Sequence, residues 1–290
     1  MGWGTKDIGD LSGRTVVVTG ANSGLGEATT RALAAAGATV IMACRNTTKA
    51  EQVAVGLGDR VSVAALDLAS LESIRAFAAE FTGADVLINN AGVMALPLRR
   101  TADGFEMQMG TNHLGHFALT ALVLPAITDR VVTVSSGLHQ QGRIDVDDLN
   151  WERRSYRRWQ AYADSKMANL MFGLDLADRL DAVGDTRLSL IAHPGIAVTN
   201  LTGHTESVQD VVMRYGTPLV GQSAADGALP SLYAATATDL VNGTFFGPTR
   251  FFGMRGAPGV ARFSGRANNA TLRAALWRRS AELTGVDVDL

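Results

Sequence analysis

The sequence predicts a doubly wound α/β fold, with a central, mostly seven-stranded parallel sheet flanked by helices. Short β-branched runs alternate with longer Ala/Leu-rich segments from residue 15 onward. The strand candidates are mostly continuous apolar runs rather than alternating ones, as parallel strands covered on both faces should be. The first of them runs straight into a glycine-rich turn at 19–26 that opens a helix.

In chain order, residues 15–19, 39–43, 61–66, 85–89, 130–135 and 187–192 read as strands, and 243–246 reads as a last strand closing the sheet. Helices are read between them, among others at 26–36, 71–81 and 162–180. Two segments break the rhythm, 137–160 and 197–222, and both leave carboxyl ends of strands, where open α/β sheets place their ligands. No linker, repeat or low-complexity tract divides the chain, so one domain over residues 1–290 is expected, with those two segments as substrate loops.

Bulk properties remove several function classes. The 290 residues are 47% hydrophobic and 19% charged, enough apolar material for one large core. A net charge of -2 gives no global field that would attract nucleic acid or an anionic membrane. The single cysteine, Cys44, excludes an intramolecular disulfide. The first ten residues lack the apolar core of a signal peptide, and no apolar run is long enough to span a bilayer. A cytoplasmic protein is expected.

At Thr19-Gly20-Ala21-Asn22-Ser23-Gly24-Leu25-Gly26, glycines would let backbone N–H groups approach a pyrophosphate, and the following helix would offer its positive end. The spacing Gly-x-x-x-Gly-x-Gly differs from the commoner dinucleotide fingerprint, so position after the first strand carries the reading. A tight turn without a ligand is the alternative. The second strand ends Ala43-Cys44-Arg45-Asn46, without the acidic residue that usually holds adenosine ribose hydroxyls in NAD sites. Arg45 stands where a guanidinium could pair with a 2′-phosphate, with Lys49 one turn on, which favours NADP(H) over NAD(H). An exposed arginine solvating a loop would read the same way.

Tyr162 and Lys166 are the most informative pair. Four residues apart on a helix, they lie on one face, and a nearby ammonium would lower the phenol from its usual pKa near 10 towards the working range. Chance supplies only about 0.04 such pairs among four tyrosines and three lysines. Asn112 and the pair Ser135-Ser136 precede them. Only one of the two serines can face the site, because adjacent strand residues point to opposite sides.

With these motifs in order, the chain resembles the short-chain dehydrogenase/reductase family over nearly its whole length. The matching residues are Thr19 to Gly26, Asp67, Asn89 to Gly92, Asn112, Ser136, Tyr162, Lys166 and His193-Pro194-Gly195. Ala43-Cys44-Arg45, the long interval from Ser136 to Tyr162, and Leu276-Trp277 with Leu283-Thr284-Gly285 resemble its retinol-dehydrogenase-like branch. The resemblance implies a Rossmann-type domain and carbonyl/alcohol interconversion. Tyr162 would be the proton donor or acceptor. Lys166 would lower its pKa and hold the nicotinamide ribose, Ser136 would bind the substrate oxygen, and Asn112 would support a proton-relay water. The resemblance further places Asp67 and Leu68 at the adenine, and Asn89, Ala91 and Gly92 along the cofactor. Pro194, Gly195 and Ile196 would lie at the nicotinamide, and Thr199 would touch the cofactor too. Homodimers or homotetramers are common in the family.

Other features are discounted. His113, His116, His139, His193 and His204 lack partners at metal-ligand spacing and are expected to pack, although His139 could line the substrate mouth. Arg153, Arg154, Arg157 and Arg158, interleaved with Trp151, Tyr156 and Trp159, read as a solvated helix start with aromatic anchors rather than a nucleic-acid surface. Met94, Leu96, Val212, Met213, Leu219, Phe251 and Phe252 near the expected mouth point to an apolar small molecule. Two other functions share much of the pattern: reduction of a carbon–carbon double bond, as in the light-dependent protochlorophyllide reductases, and a cofactor-sensing scaffold without turnover.

Overall fold

Three consecutive valines, Val16 to Val18, form the heart of β1 (Thr15–Thr19) and are shut from solvent on both sides. Such a strand must lie inside a sheet covered by two helical layers. The computed structural model describes residues 2–195 and 222–290. It places β1 beside β2 (Thr39–Cys44) and β4 (Ala84–Asn89) in an eight-stranded sheet of order β3-β2-β1-β4-β5-β6-β7-β8. The others are β3 (Val61–Ala65), β5 (Ile127–Val134), β6 (Leu188–Ala192), β7 (Phe245–Arg250) and β8 (Arg255–Val260). All neighbours pair in parallel except β7 and β8. The strand order reverses at β1, which opens a crevice beyond the carboxyl ends of β1 and β4.

The eighth strand is the main departure from the sequence expectation. Arg255–Val260 carries two glycines and Pro258 and no β-branched run, so nothing local marks it as a strand. It is tolerated because it is an edge, where Pro258 pairs opposite Pro248. The preceding strand also continues to Arg250, beyond the expected end at 246.

One face of the sheet is packed by α1 (Gly24–Ala35), α2 (Thr47–Ala54) and α6 (Ala224–Thr236), the other by α3 (Leu71–Glu80), α4 (Gly115–Val123), α5 (Arg158–Ala182) and α7 (Ala270–Thr284). Side-chain caps start several of them: Asn46 accepts from the Lys49 N–H, Ser70 from Ser73, Ser223 from Asp226 and Asn269 from Leu272. Gly285, in left-handed conformation at φ 65, stops α7. That last helix seals α4 and α5. Trp277 stacks on Phe172 at 5.6 Å and meets Phe117 edge-on at 5.1 Å, while its indole N–H donates to Asp287 at 2.7 Å.

Trp277→Ala is expected to cost about 3–5 kcal/mol of unfolding free energy, because it empties an aromatic cluster and frees Asp287. Chemical denaturation would measure it; a loss below about 1 kcal/mol would show that α7 does not seal this core.

Candidate active site

The site begins at the end of β1. Gly20 has φ 65, and a Cβ there would fall 2.9 Å from the Cα and Cβ of Ala91; one on Gly26 would strike the Gly20 carbonyl oxygen. The glycines are therefore demanded by close approach of the β1 and β4 ends, not merely by flexibility. Thr19 supplies the bond between those ends. Its Oγ1 accepts the N–H groups of Asn90 and Ala91, each at 2.9 Å, while the Asn90 amide donates to the Thr19 carbonyl at 2.8 Å. Below the loop, burial pushes the Cys44 thiol pKa up, against the lowering influence of the Ala21 and Asn22 backbone.

A cavity of about 470 Å³ lies over this turn. Gly20, Asn22, Ser23, Gly24, Leu25 and Gly26 form its floor, Arg45, Asn46 and Lys49 one end, and Asp67 and Leu68 a side. Ala91, Gly92, Met94, Leu96, Met107 and Thr111 line the other end. Helix α1 opens here without a side-chain cap on its first N–H groups, which leaves donors for an anion. Uncapped donors and glycines that hold open a cradle fit the pyrophosphate of a dinucleotide.

One expected residue is turned away. Asn89 is fully buried in β4 and its amide donates to Thr120 at 2.9 Å, so it does not line the cavity. Its neighbour Asn90 does, because alternate strand residues face opposite sides. Ile196, Thr199, His204, Val212, Met213 and Leu219 lie outside the described residues, as does nearly all of 197–222.

The second half of the site abuts Gly92, whose missing Cβ would sit 3.2 Å from Asn112 Oδ1 and 3.5 Å from Lys166 Nζ. Tyr162 and Lys166 project from α5, which is buried without interruption from Ala161 to Ala177. The Tyr162 phenol lies near enough to Ser136 for the serine to lower its pKa. Ser135 is spent elsewhere: its hydroxyl donates to the Lys166 carbonyl at 2.7 Å. Lys166 Nζ donates to the Val134 carbonyl at 3.1 Å, an acceptor shared with the Asn169 amide.

The electrostatics depart from the simple expectation for a Tyr/Lys pair. Burial pushes Tyr162 up to about 12, against which the nearby Ser136 hydroxyl is the opposing influence. Burial also lowers Lys166 to about 8. The ammonium is anchored on the Val134 carbonyl and lies 5.9 Å from the Tyr162 ring centre, so in the free protein it does not offset the desolvation of the phenol.

Asn112 sits in a π-helical turn, Gly110–Leu114, that leads into α4. Its amide is fully engaged: Oδ1 accepts from the Val93 N–H at 2.7 Å, and Nδ2 donates to the Val93 carbonyl and to Ser165 Oγ, each at 2.9 Å. It thus clamps the Gly92 segment to the Tyr162 helix. The Asn112 carbonyl accepts from His116 Nδ1 at 2.9 Å, which leaves Nε2 to accept from Thr19 at 2.9 Å. Sequence reasoning placed Thr19 and Asn90 inside the matching motifs without the bonds they make, and it gave Ser165 no role, since no local pattern shows these contacts.

Segment 137–160 is knitted inward. His139 does not line a mouth: it is buried, its Nδ1 donates to the Ser136 carbonyl at 2.6 Å, and its Nε2 accepts the Ser264 N–H at 3.3 Å. Arg154 is not part of a solvated face. It stacks 3.7 Å over Trp151 and pairs with the buried carboxylates of Asp148 and Asp164, each at 3.3 Å. Tyr156 reaches Glu106 at 2.9 Å, a buried carboxylate that also accepts the N–H groups of Gln108 and Met109. Pro194 and Gly195 are tied by Gln222, which donates to the Pro194 carbonyl at 2.6 Å, and by the Gly195 N–H to His193 Nδ1.

Burial holds His113 down to about 3, and His116 and His193 down to about 4. Each folded pKa lies below the ordinary 6.5, so the unfolded chain binds more protons between those values. Stability is expected to be full above pH 6.5 and to fall, on the order of a few kcal/mol in all, as the pH drops to about 4. Urea midpoints across that range would measure it; a flat profile would contradict the buried neutral rings.

The sequence model for short chain dehydrogenases matches residues 14–210. Human retinol dehydrogenase 13 is 40% identical over 96% of this chain and 86% of its own length, and human retinol dehydrogenase 12 is 40% identical over 95% and 88%. Mouse polyprenol dehydrogenase is 38% identical over 94% and 84%. Among solved structures, an uncharacterized protein from Mycobacterium Paratuberculosis superposes with a TM-score of 0.88 at 49% identity, covering all of both chains. With the phosphate-binding turn, the Tyr162/Lys166 helix and these likenesses together, the chain belongs to the short-chain dehydrogenase family, in its retinol-dehydrogenase-like branch.

Proposed function

We propose that this oxidoreductase uses NADP(H) to interconvert a carbonyl and an alcohol on an apolar small molecule. The observation that carries the reading is the buried helix that sets the Tyr162 phenol near Ser136 and brings Lys166 to Gly92 at the end of the nucleotide-sized cavity. In reduction Tyr162 gives its hydroxyl proton to the substrate oxygen; in oxidation it takes that proton back. Ser136 Oγ holds the same oxygen and so fixes the distance over which the proton moves. The Lys166 ammonium, largely charged at neutral pH with its pKa at about 8, orients the nicotinamide ribose and favours the phenolate. Bound NADP(H) supplies or accepts the hydride at the substrate carbon.

Arg45 and Lys49 support the choice of NADP(H). Both line the end of the cavity where β2 finishes, and the residues that follow β2, Arg45 and Asn46, include no carboxylate. Met94, Leu96 and Met107 give the other end an apolar lining. Retinol and polyprenol, the alcohols in the names of the relatives, are long and apolar, in keeping with that lining.

Tyr162→Phe is expected to lower kcat by about 10²–10⁴-fold across a panel of aldehydes and ketones while NADPH affinity stays within about twofold. Turnover equal to that of the unaltered enzyme would sink the assignment, and enone reduction surviving in the variant would point to double-bond chemistry. Arg45→Ala is expected to weaken NADPH by roughly tenfold or more and NADH hardly at all. Titration of both nucleotides by fluorescence would decide; equal losses would remove the 2′-phosphate contact.

A further inference from the structure

Between β7 and β8 the chain makes a tight turn, closed by the Met254 N–H donating to the Phe251 carbonyl at 3.1 Å. Its residues adopt left-handed backbone: φ is 50 at Phe251, 56 at Phe252 and 81 at Gly253. Hairpin turns of this hand are met by Asn, Asp or Gly, and a bulky aromatic residue there is strained. The strain accompanies an unusual display. Phe251 is 62% exposed and Phe252 fully exposed, although phenylalanine is ordinarily among the buried residues. An observed outlier of this kind is a reason to look for function.

The charged residues of the hairpin itself, Arg250 and Arg255, are both cationic. From 240 to 281 the sequence holds seven arginines and no aspartate or glutamate, in a chain whose net charge is -2. Arg250 and Arg255 flank the turn, and the Arg255 guanidinium lies 5.5 Å from the Phe251 ring centre. Among the described residues neither Arg250 nor Arg255 has an acidic partner, whereas Arg266, Arg273 and Arg279 lie beyond the far end of β8 and are engaged there, with the Gln140 and Gly142 carbonyls, Asp178 and Glu282.

We propose that this hairpin tip is a peripheral membrane anchor, with Phe251 and Phe252 entering the interface of an anionic bilayer and Arg250 and Arg255 meeting its headgroups. Aromatic residues at an apolar–polar boundary beside cations are the chemistry such a surface takes. Duplex nucleic acid would satisfy the arginines but would leave two phenylalanines without an apolar partner. No helix among the described residues is long and apolar enough to cross a bilayer. The tip also adjoins the strand end beyond β6. A Cβ on Gly195 would strike the Met254 carbonyl, and the Gly256 N–H donates to Gln222, which holds Pro194. On the functional reading above, a seated hairpin brings the Pro194–Gly195 segment, expected at the nicotinamide, towards the lipid that holds an apolar alcohol.

The test uses the full chain without nucleotide or substrate, so it can fail without touching the assignment of Tyr162. Co-sedimentation would be run with phosphatidylcholine vesicles and with vesicles containing about one-third phosphatidylglycerol. Binding to the mixed vesicles is expected to exceed binding to phosphatidylcholine by at least about tenfold and to weaken with salt. The double variant Phe251→Ser, Phe252→Ser is expected to lose about tenfold more, with an unchanged unfolding midpoint. Absence of binding by the unaltered chain, equal binding by the variant, or binding displaced by duplex DNA would overturn the proposal. A dimer in gel filtration that the variant splits, without vesicle binding, would overturn it by assigning the tip to a second copy.

Discussion

The burial of α5 is the constraint on which the rest of the site depends. From Ala161 to Ala177 no residue of this helix faces solvent, yet the stretch includes Tyr162, Asp164, Ser165, Lys166, Asn169 and Asp175. Each polar group withdrawn from water needs a partner, and those partners draw the site together. Lys166 takes the Val134 carbonyl, Ser165 takes Asn112, and Asp164 takes Arg154 and the Arg143 N–H, while Tyr162 lies near Ser136. The helix can be covered so fully because α7 lies on it, with Trp277 against Phe172.

Through Asn112 the same demand reaches the nucleotide end. Its amide clamps Val93 and its carbonyl fixes His116, which in turn takes the hydroxyl of Thr19. The imidazole is therefore neutral and oriented, a link between the β1 turn and the reactive helix rather than a metal ligand. Position and protonation state are set by one continuous set of bonds, so a disturbance at either end should be felt at the other.

Much of this was legible because the signals are local. Buried parallel strands read as unbroken apolar runs, the glycine turn follows the first of them directly, and Tyr162 and Lys166 share a helix face by spacing alone. What escaped depends on the assembled sheet. The parity that turns Asn89 inward and Asn90 outward cannot be read without the register of β4. Arg154 sits in a stretch of exposed-looking arginines, and only the fold brings Asp148 and Asp164 to it. Strand β8 has no β-branched run to announce it. Net charge misled in a similar way, since -2 for the whole chain conceals a stretch of seven arginines without an acid.

The central claim is that a phenol made reluctant by burial becomes the working acid and base once the site is filled. Tyr162 alone, pushed up to about 12, would hold its proton too firmly for rapid exchange at neutral pH. The most direct measurement is the ionisation of Tyr162 by NMR of ring-labelled tyrosine, with its signal assigned by Tyr162→Phe among only four tyrosines. Without nucleotide, Tyr162 is expected to stay neutral beyond pH 10; with NADP+ bound, the added positive charge is expected to move its titration down towards neutrality. A titration that does not move when NADP+ binds would contradict the account.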